Sequence, residues 1–219
     1  MKGCRPLNDN EVERVMDSIK GPNAARTAAL FILGVRAGYR ISELLSVRIK
    51  NLIFKGKVVQ NLRVERQHMK GGKKGKAKRI VASTREVPLN PDTHPAILKQ
   101  WRTLVHEHGH FDPNTYFFQS RLRGNVAISR RQAWEDLTTV YAACGLEGKI
   151  ATHGMRKTFA RIALDIYKEC WRPGEEIPIQ KLQKALGHAS IVSTQSYAEF
   201  ADQSYREAFT RPRLTQTQR

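Results

Sequence analysis

Residues 24–47 read AARTAALFILGVRAGYRISELLSV. The stretch through Val35 is apolar nearly all round, the pattern of a helix buried on several sides rather than one lying on a surface. Gly38 suits a left-handed C-cap, because a residue without Cβ enters that region without steric strain. Beyond it Arg40 and Glu43 stand three apart, hence on one face of any helical turn, and such a turn is expected from Ser42 to Val47. By themselves the two residues read as a surface ion pair. The fold is expected to be built around helix 24–35 as its core.

Upstream, Asn8 with Glu11 forms a capping box, and Val12, Val15, Met16 and Ile19 repeat at helical spacing until Gly21-Pro22. Downstream, the stretches around Ile53, Val58–Val64 and Arg85–Leu89 are short, rich in branched residues and separated by glycine-containing turns, which predicts a small antiparallel sheet of three strands. A helix is expected from Pro95 through Leu104, and a second capping box, Ser129 with Gln132, opens a helix through Cys144 that Gly145 ends. Thr152 is placed to cap a helix carrying Phe159, Ile162 and Ile166, and Leu182, Ala185 and Leu186 mark another. The expected class is a mixed α+β, mostly helical fold.

The 219 residues suffice for a substantial core, and 40% hydrophobic content with 8% aromatics excludes a disordered or low-complexity chain. Lys and Arg number 38 against 20 Asp and Glu, a net charge of +18 that calls for a polyanionic partner, nucleic acid first and an anionic membrane surface second. No apolar run approaches the length of a membrane span and the first ten residues lack the core of a secretion signal, so a soluble protein is expected. Cys4, Cys144 and Cys170 are odd in number and far apart, which fits neither a disulfide framework nor a zinc site and suits a reducing cytoplasm.

Three segments carry candidate chemistry. Residues 66–79, RQHMKGGKKGKAKR, hold seven basic residues, Arg66, Lys70, Lys73, Lys74, Lys76, Lys78 and Arg79, with no acid and three glycines, as a turn that touches DNA phosphates would. THGMRKTFA sets His153 and Arg156 three apart near a helix N-terminus, where the dipole also favours an anion. LGHASIVSTQSY places His188 after a glycine stop and Tyr197 nine residues on. Each alone has an ordinary structural explanation, whether a solvated loop, a chance HxxR or a packed tyrosine. His106, His108 and His110 with Asp112 invite a metal reading, but Gly109 after a helix makes a polar loop the better one. Trp101, Trp134 and Trp171 invite base stacking; the first two lie on amphipathic helices and are expected to pack.

Taken in order, GYRISELLSV, the lysine-rich turn, REVPL, THGMRKTFA and LGHASIVSTQSY resemble the successive boxes of the tyrosine recombinase, or phage integrase, family over residues 40–197. The resemblance implies that Tyr197 is a nucleophile forming a 3′-phosphotyrosyl link, that Arg40 and Arg156 grip the phosphate, that His153 assists proton transfer, and that His188 donates to a phosphate oxygen. Those residue types suit the chemistry, since a guanidinium offers paired donors and stays charged, and phosphodiester cleavage without metal needs a nucleophile, cations and an acid. Glu43 is expected to orient an arginine. The resemblance further implies a lysine of the turn as general acid; Lys70, at the end of RVERQHMK, is preferred, with Lys73, Lys74, Lys76 and Lys78 open. No cofactor and no metal are implied.

The resemblance also implies double-stranded DNA as partner and a homo-tetramer assembled on it, with a monomer or weak oligomer otherwise. Residues 1–200 would be the catalytic domain and 201–219 a tail docking on a neighbouring protomer. Only about forty residues precede Arg40, where most members carry a further helical domain, so a catalytic domain alone is expected, truncated or naturally minimal. A type IB topoisomerase, and a non-catalytic DNA-binding protein of the same fold, are the rivals.

Overall fold

The computed structural model describes residues 4–64, 85–108, 112–121 and 124–198. The chain divides into two compact units, Met1–Phe159 and Ala160–Arg219. Of the expected site, Arg66, Lys70, Lys73, Lys74, Lys76, Lys78 and Arg79 lie outside the described residues, as do His110 and the 201–219 tail.

The first unit opens on helix α1 (Asp9–Ser18), started by the expected capping box: the Asn8 side chain accepts from the Glu11 N–H at 2.8 Å, and the Glu11 carboxylate accepts from the Asn8 N–H at 2.9 Å. Arg5 grips the same carboxylate with two donors, at 2.6 and 2.8 Å, and also reaches the Glu147 carbonyl. Helix α2 (Ala24–Ala37) is the centre of the core, with Ala29, Leu30, Phe31, Leu33 and Val35 buried. At Gly34 an added Cβ would stand 2.7 Å from the Met155 sulfur, so the absence of a side chain sets how closely these segments approach.

Two short helices follow, α3 (Ile41–Leu44) and α4 (Ile49–Leu52), then strands β1 (Ile53–Phe54) and β2 (Lys57–Val58) joined by Lys55-Gly56, both at positive φ as a two-residue hairpin requires. Strands β3 (Asn61–Val64) and β4 (Arg85–Pro88) pair antiparallel, Leu62 opposite Val87 and Val64 opposite Arg85. After a 3-10 turn at Pro91–Thr93 come α5 (His94–His108), α6 (Arg130–Ala143) and the start of α7 (Thr152–Cys170). The second unit holds the rest of α7, then α8 (Pro178–Leu186) and α9 (Ile191–Ala198). Among the described residues no helix is long and apolar enough to cross a membrane.

The mostly helical α+β class is as expected, with local corrections. The described strands form two separate antiparallel pairs rather than one three-stranded sheet. The run Val58–Val64 is not a single strand, because at Val59 and Gln60 the chain changes partner: Val59 N–H goes back to the Leu52 carbonyl, while the Gln60 carbonyl takes the Leu89 N–H. A continuous apolar run does not reveal such a change of partner. Residues 49–52, ahead of Ile53, are helical, and the turn expected over 42–47 is α3, which ends at Leu44.

The second capping box is half formed. Ser129 accepts from Gln132 N–H at 3.0 Å, but the Gln132 side chain turns to Asp136. Thr152 is the first helical residue of α7 rather than its cap. Helix α5 continues through His106 and His108 where a polar loop was expected, so these positions fall about 200° apart around the axis rather than together. Trp134 is 47% exposed instead of packed, because the buried stripe of α6 runs Ala133, Leu137, Tyr141 and leaves position 134 one step round.

Candidate active site

The first half of the site grows from the C-terminus of α2. Gly38 takes the left-handed conformation (φ 61°, ψ 23°) that stops the helix, and a Cβ there would lie 2.3 Å from the Phe159 ring. Glycine is required twice over, by backbone and by space. Tyr39 follows, buried, with its hydroxyl 2.7 Å from the Leu62 carbonyl and 3.1 Å from that of Arg85, so it bridges β3 and β4. Burial pushes its phenol pKa well above the ordinary value.

Arg40 stands immediately before α3. Glu43, one turn on and 5% exposed, accepts from the Arg40 backbone N–H at 2.7 Å and from its Nη1 at 3.1 Å. The pair is therefore half inside the protein, with the carboxylate buried and the guanidinium reaching outward. This corrects the expected surface ion pair: the Glu43 carboxylate is buried against the Arg40 backbone and guanidinium.

Arg156, on the second turn of α7, is almost wholly buried and donates through Nη1 to the carbonyl of Gly38, across 118 residues of sequence. Arg85 uses the same carbonyl, donating from Nη1 at 3.3 Å and from Nη2 to the Ala37 carbonyl at 3.1 Å. Its guanidinium lies 3.8 Å from Glu43 and 4.4 Å above the Tyr39 ring centre. Burial, followed by the neighbouring Arg156 charge, pulls its pKa down to about 10, so it remains a cation at neutral pH. Arg85 opens the REVPL segment, but from the sequence alone the residue itself has no expected role. The available signal was the strand period: Arg85 shares a face with Val87, and an arginine on the inward face of a strand needs buried partners.

His153, on the first turn of α7, is lowered to a pKa of about 4, by burial of the ring first and then by Arg156, Lys157 and Arg40. The residue as a whole is exposed, so water offsets part of the burial effect. The three neighbouring cations push in the same direction as burial, and at neutral pH the imidazole is uncharged.

In the second unit α8 ends in a Schellman motif at Gly187 (φ 63°): the Gly187 N–H binds the Lys184 carbonyl at 3.0 Å and the His188 N–H binds that of Gln183 at 3.1 Å. The Gln183 side chain closes the loop by donating to the His188 carbonyl at 3.1 Å. His188 Nδ1 lies 2.9 Å from the hydroxyl of Thr194, which is fully buried. Tyr197, one helical turn beyond Thr194 and 9% exposed, sets its ring centre 5.3 Å from that of His188 at a 53° tilt. Thr194 was not foreseen. Its sequence signal is its position three before Tyr197, on the same face of α9.

The first unit thus gathers Arg40, Glu43, His153 and Arg156, and the second gathers His188 and Tyr197. A model of the phage integrase family matches residues 5–204. The chain belongs to the phage integrase family.

Members similar to it include the probable integrase/recombinase YoeC of Bacillus subtilis, 30% identical over 182 residues that cover 82% of this chain and 81% of that protein. The tyrosine recombinase XerA of Pyrococcus furiosus is 25% identical over 96% of this chain, and XerC of Mesorhizobium japonicum 31% over 88%; the chain spans 62% and 54% of their lengths. Among solved structures, a XerA recombinase superposes with a TM-score of 0.66 at 23% identity, covering 95% of this chain and 66% of that one. The catalytic domain of bacteriophage HP1 integrase is matched over its whole length and 99% of this chain, with TM-score 0.51 and 15% identity. These structures share the fold of the family's catalytic domains.

Proposed function

We propose that this chain is the catalytic part of a site-specific DNA recombinase or integrase that cuts and rejoins double-stranded DNA through a 3′-phosphotyrosyl intermediate, without metal. The observation that carries the reading is the anchoring of Arg40 and Arg156 on Glu43 and the Gly38 carbonyl, beside an uncharged His153. Cations fixed before substrate arrives stabilise the charge that develops on a pentacoordinate phosphate without reorganising.

In this reading the Tyr197 oxygen attacks phosphorus, forming the P–O(Tyr) bond as the bond to the 5′ oxygen breaks. The phenol proton passes to His153, which is neutral and therefore able to accept it at physiological pH. The departing 5′ oxygen takes a proton from a lysine of the 66–79 segment, Lys70 in preference to Lys73, Lys74, Lys76 or Lys78. Arg40 and Arg156 bind the non-bridging oxygens, and His188 donates to one of them; a Thr194 hydroxyl donated to Nδ1 leaves the ring proton on Nε2 for that purpose. Arg66, Lys73, Lys74, Lys76, Lys78 and Arg79 bind backbone phosphates, and the reaction runs in a tetramer on DNA, with residues 201–219 docking on a neighbouring protomer.

The test is trapping of a covalent complex in the presence of EDTA on nicked duplexes spanning the junctions that flank the gene. Wild-type protein is expected to give an adduct that survives a denaturing gel, and Tyr197→Phe to give none. An adduct formed equally by Tyr197→Phe, or abolished by EDTA, overturns the reading. Exchange of strands between two duplexes, rather than relaxation of supercoils alone, separates recombinase from topoisomerase.

A further inference from the structure

Arg85 occupies a place that the proposed chemistry leaves unused. Its guanidinium is turned inward, with 10% of the side chain exposed, onto the carbonyls of Ala37 and Gly38, so it is not offered to a phosphate. The anchors it touches are the anchors of the two phosphate-binding arginines. Gly38 supplies one carbonyl to both Arg85 and Arg156. Glu43 supplies one carboxylate to both Arg85 and Arg40. A continuous path therefore runs from Arg156 through Gly38, Arg85 and Glu43 to Arg40.

We propose that Arg85 is a positioning residue for phosphate cleavage: by occupying the Ala37 and Gly38 carbonyls and pairing with Glu43, it fixes Arg40 and Arg156 relative to each other. The inference rests on the reading of Arg40 and Arg156 as the phosphate-binding pair.

Three guanidiniums crowded together repel. The arrangement is held by charge of the opposite sign: the Glu43 carboxylate and the negative C-terminal end of α2, whose last carbonyls have no intrahelical partner. The Tyr39 ring face adds to this. The shape of the group is as necessary as its charge. A planar fork reaches two successive carbonyls and a carboxylate at once, whereas a lysine ammonium is a point donor on a flexible stem. Arg85→Lys therefore keeps the charge and loses the geometry.

The experiment measures single-turnover formation of the Tyr197 adduct on nicked junction duplexes, wild type against Arg85→Lys, over a range of DNA concentrations. The rate at saturating DNA is expected to fall by about 100-fold, the penalty typical of a misplacement near 1 Å, while the DNA concentration at half-saturation stays unchanged. A parallel series uses a duplex with sulfur in place of the bridging 5′ oxygen, which leaves without a proton. Arg85→Lys is expected to remain slow on it, because the fault lies in the cations and not in the general acid.

Thermal unfolding of both proteins, with Tyr39→Phe as a milder change in the same cluster, shows whether a rate loss is only a folding defect. A Tyr39→Phe chain as stable as Arg85→Lys but cleaving at wild-type rate supports positioning. Equal wild-type and Arg85→Lys rates overturn it, as does a loss matched by unfolding or full recovery on the sulfur duplex. A wild-type chain that forms no adduct removes the function reading and this role together, an outcome distinct from an adduct that Arg85→Lys forms equally fast.

Discussion

Gly38 is the residue on which the arginine cluster turns, since its conformation ends α2 and its carbonyl receives two guanidiniums. Gly38→Ala adds a Cβ at positive φ and within 2.3 Å of the Phe159 ring. Left-handed strain and overpacking together are expected to destabilise the protein by about 2–4 kcal/mol, read by urea unfolding. His153 gives a prediction with a sign. Its folded pKa of about 4 lies below the 6.5 of an unperturbed histidine, so between those values the unfolded chain takes up a proton that the folded chain refuses. Its contribution to stability is complete above pH 6.5 and falls as pH drops from 6.5 towards 4. Unfolding curves across that range should show a shallower acid slope in His153→Gln; an unchanged slope would mean that the ring titrates normally.

At the scale of elements, the ends of helices do much of the positioning. Gly187 turns the chain out of α8 so that the His188 N–H bonds back to Gln183, and the imidazole meets Thr194 and Tyr197 of α9. Gly187→Ala is expected to lower stability by about 1 kcal/mol, the penalty for a side chain in this conformation. Adduct formation should fall further than that loss of stability accounts for, as measured by calorimetry alongside the trapping assay. The start of α1 was legible because its capping bonds span three residues, Asn8 to Glu11. The division into two strand pairs was not, since β2 and β3 are separated by a change of backbone partner at Val59–Gln60 and not by a change of residue type.

For the whole molecule, +18 is the quantity that matters. Binding that releases counterions from DNA weakens along a straight line of log affinity against log salt. Between about 50 and 200 mM salt, affinity for a junction duplex is expected to fall by about a thousandfold or more, measured by fluorescence anisotropy. Replacing Lys73, Lys74 and Lys76 with alanine should reduce the slope by about 0.9 for each phosphate that is no longer neutralised. A slope that does not change places the DNA-binding charge on other basic residues.

By itself the sequence determined the buried helix 24–35, most helix starts and stops, the basic excess, and the order of Arg40, His153, Arg156, His188 and Tyr197. These are local patterns or residue types, set by bonds within about one helical turn or by composition. Only the tertiary structure decided that Glu43 is buried, that Arg85 joins the cluster, and that Arg156 rests on the Gly38 carbonyl. Those bonds join a main-chain carbonyl, which every residue carries, to side chains 47 and 118 positions away. Their partners are selected by the packing of helices and strands around the end of α2, and a carbonyl common to all residues leaves no mark in the sequence.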